Sequence, residues 1–212
     1  MKYLIFSDSH LAKNFDPKKF SVLKKAIESS DRVIINGDFW EGFTTSFDEL
    51  TKSKWAETLF PLLKKKQAIY LYGNHDKKIY SDKRTSLFSV EQRDEYVLKS
   101  GKNTFFIQHG DKYVILPDVQ NWLCFILENT EDVLVKLFRK PFIKLAFGWM
   151  NTKIKIKVSS KLKKNEFLIV GHTHCAEIDL ENHFINSGFI KHGLAQYLTI
   201  ENGAITPHEE SY

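Results

Sequence analysis

Cysteine is nearly absent from this chain. Cys124 and Cys175 are the only two in 212 residues, which excludes a disulfide framework. No apolar run reaches the roughly 20 residues that a membrane-spanning helix requires. Internal repeats and low-complexity tracts are missing too. The first residues run directly into an apolar segment ending at Asp8, without the basic, apolar and small-residue regions of a secretory signal. A cytoplasmic protein is therefore expected. What remains is 42% hydrophobic content, enough to bury a core within a single domain over residues 1–212.

Five short apolar segments each end in residues that bind metals. They lead into Asp8-Ser9-His10, Gly37-Asp38, Gly73-Asn74-His75-Asp76, His109-Gly110-Asp111 and Gly171-His172-Thr173-His174. Runs such as Tyr3-Leu4-Ile5-Phe6 and Phe167-Leu168-Ile169-Val170 read as buried strands. In open α/β sheets, ligands bind outside the carboxyl ends of the strands. Five strands that deliver Asp, His and Asn to one edge describe a metal site. Any of these residues alone is a weak signal, because a His after a strand or a Gly-Asp is commonly packing or turn chemistry. Their joint placement outweighs that reading. The glycines before Asp38, Asn74 and His172 suit turns that must clear a crowded centre.

In order, Asp-x-His, Gly-Asp, Gly-Asn-His-Asp, His and Gly-His-x-His closely resemble the calcineurin-like metallophosphoesterase superfamily, from Asp8 to about Gly188. The resemblance implies an α/β fold, a four-layer α-β-β-α sandwich with two divalent metal ions. Carried over residue by residue, it makes Asp8, His10 and His174 ligands of one metal and Asn74, His109 and His172 ligands of the other. Asp38 would bridge both, and His75 would stand beside the leaving group.

The chemistry is coherent on its own terms. Two cations about 3.5–4 Å apart polarise phosphoryl oxygens and acidify a shared water. Two ionised Asp against two divalent ions leave the centre positive and attractive to an anionic phosphate substrate. Imidazole and carboxylate donors suit manganese, ranked first, or iron, zinc or cobalt, over an all-oxygen magnesium or calcium cage. His75 is expected to protonate or stabilise the leaving oxygen, with Asp76 orienting it through a ring N–H. Cys175 is expected to pack, and His183, His192 and His208 to be ordinary histidines.

Between the blocks, Asp16-Pro17 predicts a helix start followed by Phe20, Leu23 and Ile27 at helical spacing. Ser46 and Glu49 have capping-box spacing, ahead of a helix through Trp55 and Leu59 that should be interrupted near Pro61. Glu201-Asn202-Gly203 signals a C-terminal hairpin.

Residues 112–164 contain no block motif. Eleven basic residues against four acidic ones give this segment +7, where the whole chain is +5. It is also aromatic, with apolar residues at helical spacing. Two readings stay open: a helical hairpin buried on the core, or a helical cap over the metal centre. A cap would offer Trp122, Arg139 and Trp149 to an amphiphilic anion or a membrane surface.

The layout is similar to the UDP-diacylglucosamine pyrophosphohydrolases of lipid A synthesis, which share a Gly-Asp block followed by aromatic and acidic residues, here Phe39-Trp40-Glu41. Many members of that branch carry Arg where this chain has His75. A phosphodiesterase or pyrophosphatase acting on a nucleotide-linked lipid is expected. A nuclease or small-nucleotide phosphodiesterase is the alternative, and nucleic acid is a possible partner given the basic insertion. A non-catalytic metal-binding scaffold, as in a retromer subunit of the superfamily, is disfavoured by the complete ligand set and His75.

Overall fold

The computed structural model describes residues 1–114 and 147–212. All five block strands form: β1 (Lys2–Phe6), β2 (Arg32–Asn36), β3 (Ile69–Leu71), β6 (Asn103–Gln108) and β7 (Glu166–Val170). Between β3 and β6 lie β4 (Glu91–Arg93) and β5 (Glu95–Ser100). After β7 come β8 (Glu177–Asp179), β9 (Phe184–Asn186), β10 (Ile190–Lys191), β11 (Leu194–Glu201) and β12 (Ala204–Ser211). The helices are α1 (Pro17–Glu28), α2 (Phe47–Thr51), α3 (Lys54–Lys65) and α4 (147–158).

Two sheets result. The first has the order β10-β11-β1-β2-β3-β4 with β12 paired to β11, and the second β5-β6-β7-β9-β8. β1, β2 and β3 are parallel neighbours in the first, as are β6 and β7 in the second. Apolar side chains alternate between the faces of each strand. Ile5, Ile34 and Ile69 meet Phe105, Ile107 and Ile169 between the sheets. Leu4, Val33, Ile35 and Tyr70 face α1 and α3, packing on Leu23, Ile27, Leu59 and Leu63. On the far side, Met150, Ile154 and Val158 of α4 pack on Leu168, Val170 and Phe184. The layers run helix, sheet, sheet, helix. Strands covered on both faces must be apolar at every position, which is why they read as continuous runs.

Two local expectations need correction. The capping box of Ser46 and Glu49 is real, but it caps only the short α2, and α3 starts afresh on Ser53. Pro61 does not interrupt α3. It forfeits one backbone hydrogen bond, while Trp55, Leu59, Phe60 and Leu63 keep the helix buried on the first sheet. The C-terminal hairpin forms as expected, with Asn202 and Gly203 both at positive φ, as a tight two-residue turn demands.

Of the expected cap, Trp122 and Arg139 lie outside the described residues. α4 belongs to the described part of the 112–164 segment, which comprises residues 112–114 and 147–164, and its apolar face completes the core.

Candidate metal centre

All seven candidate ligands converge where the carboxyl ends of β1, β2 and β3 meet those of β6 and β7. The loops after β1 and β2 are zipped together: His10 N donates to Asp38 O at 3.0 Å and Glu41 N to Leu11 O at 3.0 Å. The sheets are joined at the same place, since His172 N donates to Asp8 Oδ2 at 3.0 Å.

Asp8, His10 and His174 form one group and Asp38, His109 and His172 another, with the ligating atoms of each group within 4.8 Å of one another. In the first, His174 Nε2 lies 3.3 Å from both His10 Nε2 and Asp8 Oδ1. In the second, Asn74 Oδ1 stands 3.0 Å from His109 Nε2 and 2.9 Å from His172 Nδ1. Asp38 Oδ2 sits between the groups, 3.2 Å from His109 Nε2 and 3.9 Å from His10 Nε2. A third group, His10, Asp38 and His75, satisfies the same criterion, because His75 Nε2 also stands 3.9 Å from Asp38 Oδ2.

Backbone conformation marks the same residues. Asp8, His10, Asp38, His172 and His174 all have positive φ, between 41° and 63°. Such conformations cost about 1–3 kcal/mol each and persist only where the surroundings enforce them. Gly37 is at φ 81°, and a Cβ there would strike the His109 ring; one on Gly73 would collide with Asp38 Oδ1. The expected crowding is real.

The ring nitrogens pointing away from the cluster are held by partners that set the tautomer. His10 donates from Nδ1 to Glu41 Oε2 at 2.9 Å, and His109 from Nδ1 to the Asn36 carbonyl at 3.0 Å. His172 turns the other way, with Nε2 3.4 Å from the Val114 carbonyl. Lone pairs of His10 and His109 at Nε2 and of His172 at Nδ1 thus face inward. Burial lowers His10 to about 4, and burial with the nearby charge of His109 lowers His172 to about 4. Both are neutral near pH 7, as ligands must be. Burial pushes Asp38 up, but the charges of His109 and His75 outweigh it and hold it well below the usual carboxylate range. Burial lowers His109, yet the Asp38 charge and hydrogen bond lift it to about 10, so without a cation a proton on Nε2 answers the Asp38 charge, and a bound cation would displace that proton to take the lone pair. Two buried carboxylates at this point require positive charge between them. The donor set therefore fits a pair of divalent cations.

One expected role is corrected. The carboxylate against His75 Nδ1 belongs to Glu41, whose Oε1 lies 2.7 Å away. Asp76 is fully buried and accepts from the amides of Asp38 at 3.1 Å, Phe39 at 2.7 Å and Gly73 at 2.7 Å. It clamps the loops after β2 and β3. The turn after β3 folds Asp76 back onto Gly73, so sequence adjacency to His75 does not become alignment with its ring.

Glu41 is thus a site residue that sequence reasoning missed, although it ends the Gly37–Glu41 block. It holds His10 through one oxygen and His75 through the other. Lys19 is another, donating its buried ammonium to the Ser9 carbonyl at 2.7 Å, between Asp8 and His10. Phe43 is 48% exposed with its ring 4.3 Å from that of His75, forming an apolar wall beside it. Trp149 lies on the outward face of α4 with Lys153 Nζ 4.4 Å above its ring; it is Phe147 of α4 that approaches the cluster, 6.5 Å from His174. Cys175 packs with Phe189 and Leu194.

A family model described as the calcineurin-like phosphoesterase superfamily domain matches residues 1–208. Among solved structures, the chain resembles Yfce, a phosphoesterase from E. coli, at 18% identity over 100% of this chain and 99% of that one, with a TM-score of 0.53. An archaeal phosphodiesterase is 20% identical over 100% of both chains, with a TM-score of 0.47. Vps29 of Entamoeba histolytica, solved with zinc, is 13% identical over 100% of this chain and 99% of its own, with a TM-score of 0.46. At such identities the likeness concerns the fold. No curated protein matches in sequence.

Proposed function

The chain belongs to the calcineurin-like phosphoesterase superfamily, hydrolases of phosphate esters, and from that premise we propose that it cleaves a phosphodiester or pyrophosphate bond at a two-metal centre. Asp8, His10 and His174 would hold one ion and Asn74, His109 and His172 the other, with Asp38 shared between the two groups. The observation that carries this reading is Asp38 Oδ2, shared between one histidine of each group at 3.2 and 3.9 Å. The ions, manganese first among the candidates, supply Lewis-acid polarisation of the phosphoryl oxygens and a lowered pKa for water.

The protein's own groups do the rest. His75, aligned by Glu41, faces the cluster through Nε2 and delivers a proton to the leaving oxygen. Glu41 keeps that imidazole in one tautomer and stabilises its charged form. Asp76 holds the loop amides that place Asp38. His75 is a proton donor and not a ligand in this scheme, despite its 3.9 Å separation from Asp38 Oδ2.

For the substrate we favour an amphiphilic pyrophosphate such as a nucleotide-linked lipid. Support comes from the +7 charge and aromatic content of residues 112–164, and from Phe43 beside His75. Trp122 and Arg139 would contact it, with Phe147 in the place expected of Trp149, and the same segment would meet a membrane surface peripherally; among the described residues no helix is long and apolar enough to cross one. Phe39 and Trp40 do not contribute, being buried in the first core.

The test is an activity panel on the manganese-reconstituted protein, with an aryl phosphodiester, a nucleoside diphosphate-lipid and single-stranded DNA. The lipid-linked substrate should show the highest kcat/KM. A preference for DNA would establish the nuclease alternative, and no turnover on any of the three with two bound metals would favour a scaffold.

A further inference from the structure

We propose that Asn151 is a positioning residue for His172 and His174, so that the inserted helix α4 sets the metal affinity of the centre. The inference rests on reading the two histidines as ligands.

Along Gly171-His172-Thr173-His174-Cys175, the two histidines face the cluster and the three residues that alternate with them are buried behind it. Each of those three is pinned by an asparagine. Gly171 O accepts from Asn186 Nδ2 at 3.0 Å. Thr173 Oγ1 donates to Asn151 Oδ1 at 2.7 Å and accepts from Asn186 Nδ2 at 2.8 Å. Cys175 O accepts from Asn151 Nδ2 at 2.8 Å. The remaining capacity of Asn151 is taken by Glu177 Oε2 at 2.9 Å and by Asn186 Nδ2 at 3.2 Å. Its amide makes two donor and two acceptor contacts, the full inventory of an asparagine side chain.

Core filling does not account for this residue. Asn151 is fully buried, and its neighbours on the inward face of α4 are Met150, Ile154 and Val158. A buried amide is costly unless fully bonded and specifies one arrangement when it is. The arrangement it specifies is a loop in which His172 and His174 both hold positive φ, at 63° and 53°, against their intrinsic preference. One turn further along α4, Lys155 binds Glu177 at 2.7 Å and Asp179 at 2.9 Å, fastening the helix to the strand that follows the loop. The helix comes from the 112–164 segment. Through linkage, metal binding must then protect α4, and loss of its contacts must weaken metal binding by the same factor.

Manganese titration by calorimetry on the full chain tests this. Asn151→Ala should weaken manganese binding about 10–100-fold, the usual cost of removing an outer-shell partner. Thr173→Val, which removes the hydroxyl's bonds to Asn151 and Asn186 at similar shape, should act in the same direction, and the double variant should lose less than the sum. Manganese should slow amide exchange in α4 of the native protein and not in Asn151→Ala. Val22→Ala, a truncation in the α1 core, controls for stability: it should lower Tm and leave manganese affinity unchanged. Native-like affinity in both Asn151→Ala and Thr173→Val would overturn the proposal, as would an equal affinity loss in Val22→Ala. His174→Ala with two full equivalents of bound manganese would instead overturn the ligand reading itself.

Discussion

The two sheets contribute unlike halves of the centre. Of the seven candidate ligands, the first carries Asp8, His10, Asp38 and Asn74, which include every oxygen donor among them; the second carries the imidazoles of His109, His172 and His174. Neither half is a site alone, since each proposed ion draws ligands from both. The halves are also braced differently. Loops of the first sheet brace one another through Glu41, Asp76 and direct backbone pairing. The His172–His174 loop of the second is braced by α4 and Asn186. Charge and bridging thus come from the self-supporting half, while the other half depends on an inserted segment.

The sharpest way to break this comparison is at the bridge. Asp38→Asn should lose most bound metal and reduce turnover by orders of magnitude, more than any other single change; metal analysis with full occupancy and native turnover would remove Asp38 from its role. Next comes His75→Ala, expected to lose about 10²–10⁴-fold in kcat through the missing proton donor with both metals retained. Loss of one equivalent by metal analysis would move His75 into the ligand set.

Glu41→Gln should cost less, about 10–100-fold in activity, because the amide oxygen can still accept from one ring N–H, while the other ring meets an NH2 group and the negative charge that His75 needs is lost. A matching loss of manganese affinity would show that its bond to His10 matters more than its bond to His75. Chelation probes the join between the sheets. Manganese at a hundred times its Kd should add about 2.7 kcal/mol, which for a chain of this size raises Tm by about 5–10 °C; an unchanged melting curve would mean that the ions do not tie the sheets together. The smallest effect belongs to Phe43→Ala, expected to raise KM about 2–10-fold for a substrate with an aromatic leaving group and to leave a methyl ester unaffected.

The five strand-and-turn blocks were legible because each is local: an apolar run buried on both faces, then a turn carrying candidate donors. Cys175 and His183 were legible as ordinary residues for the opposite reason. Glu41 could be seen but not understood, since its bond to His75 joins residues 34 positions apart. Asp76 was misjudged because adjacency along the chain was taken for adjacency in space. Asn151 did leave a trace, a polar residue beside Met150 and ahead of Ile154 on the inward side of a helical pattern, but nothing local says what such a residue bonds to. The continuation of α3 through Pro61 was a matter of packing overriding propensity.

Strand positions, the turns that carry candidate donors and the superfamily follow from the order of residues, because hydrophobic period and turn chemistry act over a few positions and survive in any fold that buries them. The tertiary structure alone decided which half of the centre each block joins, that Glu41 and not Asp76 aligns His75, and that α4 holds the His172–His174 loop. Those are contacts between residues 24 to 164 positions apart, fixed only when both sheets close on a common core and every buried polar group must find its partner.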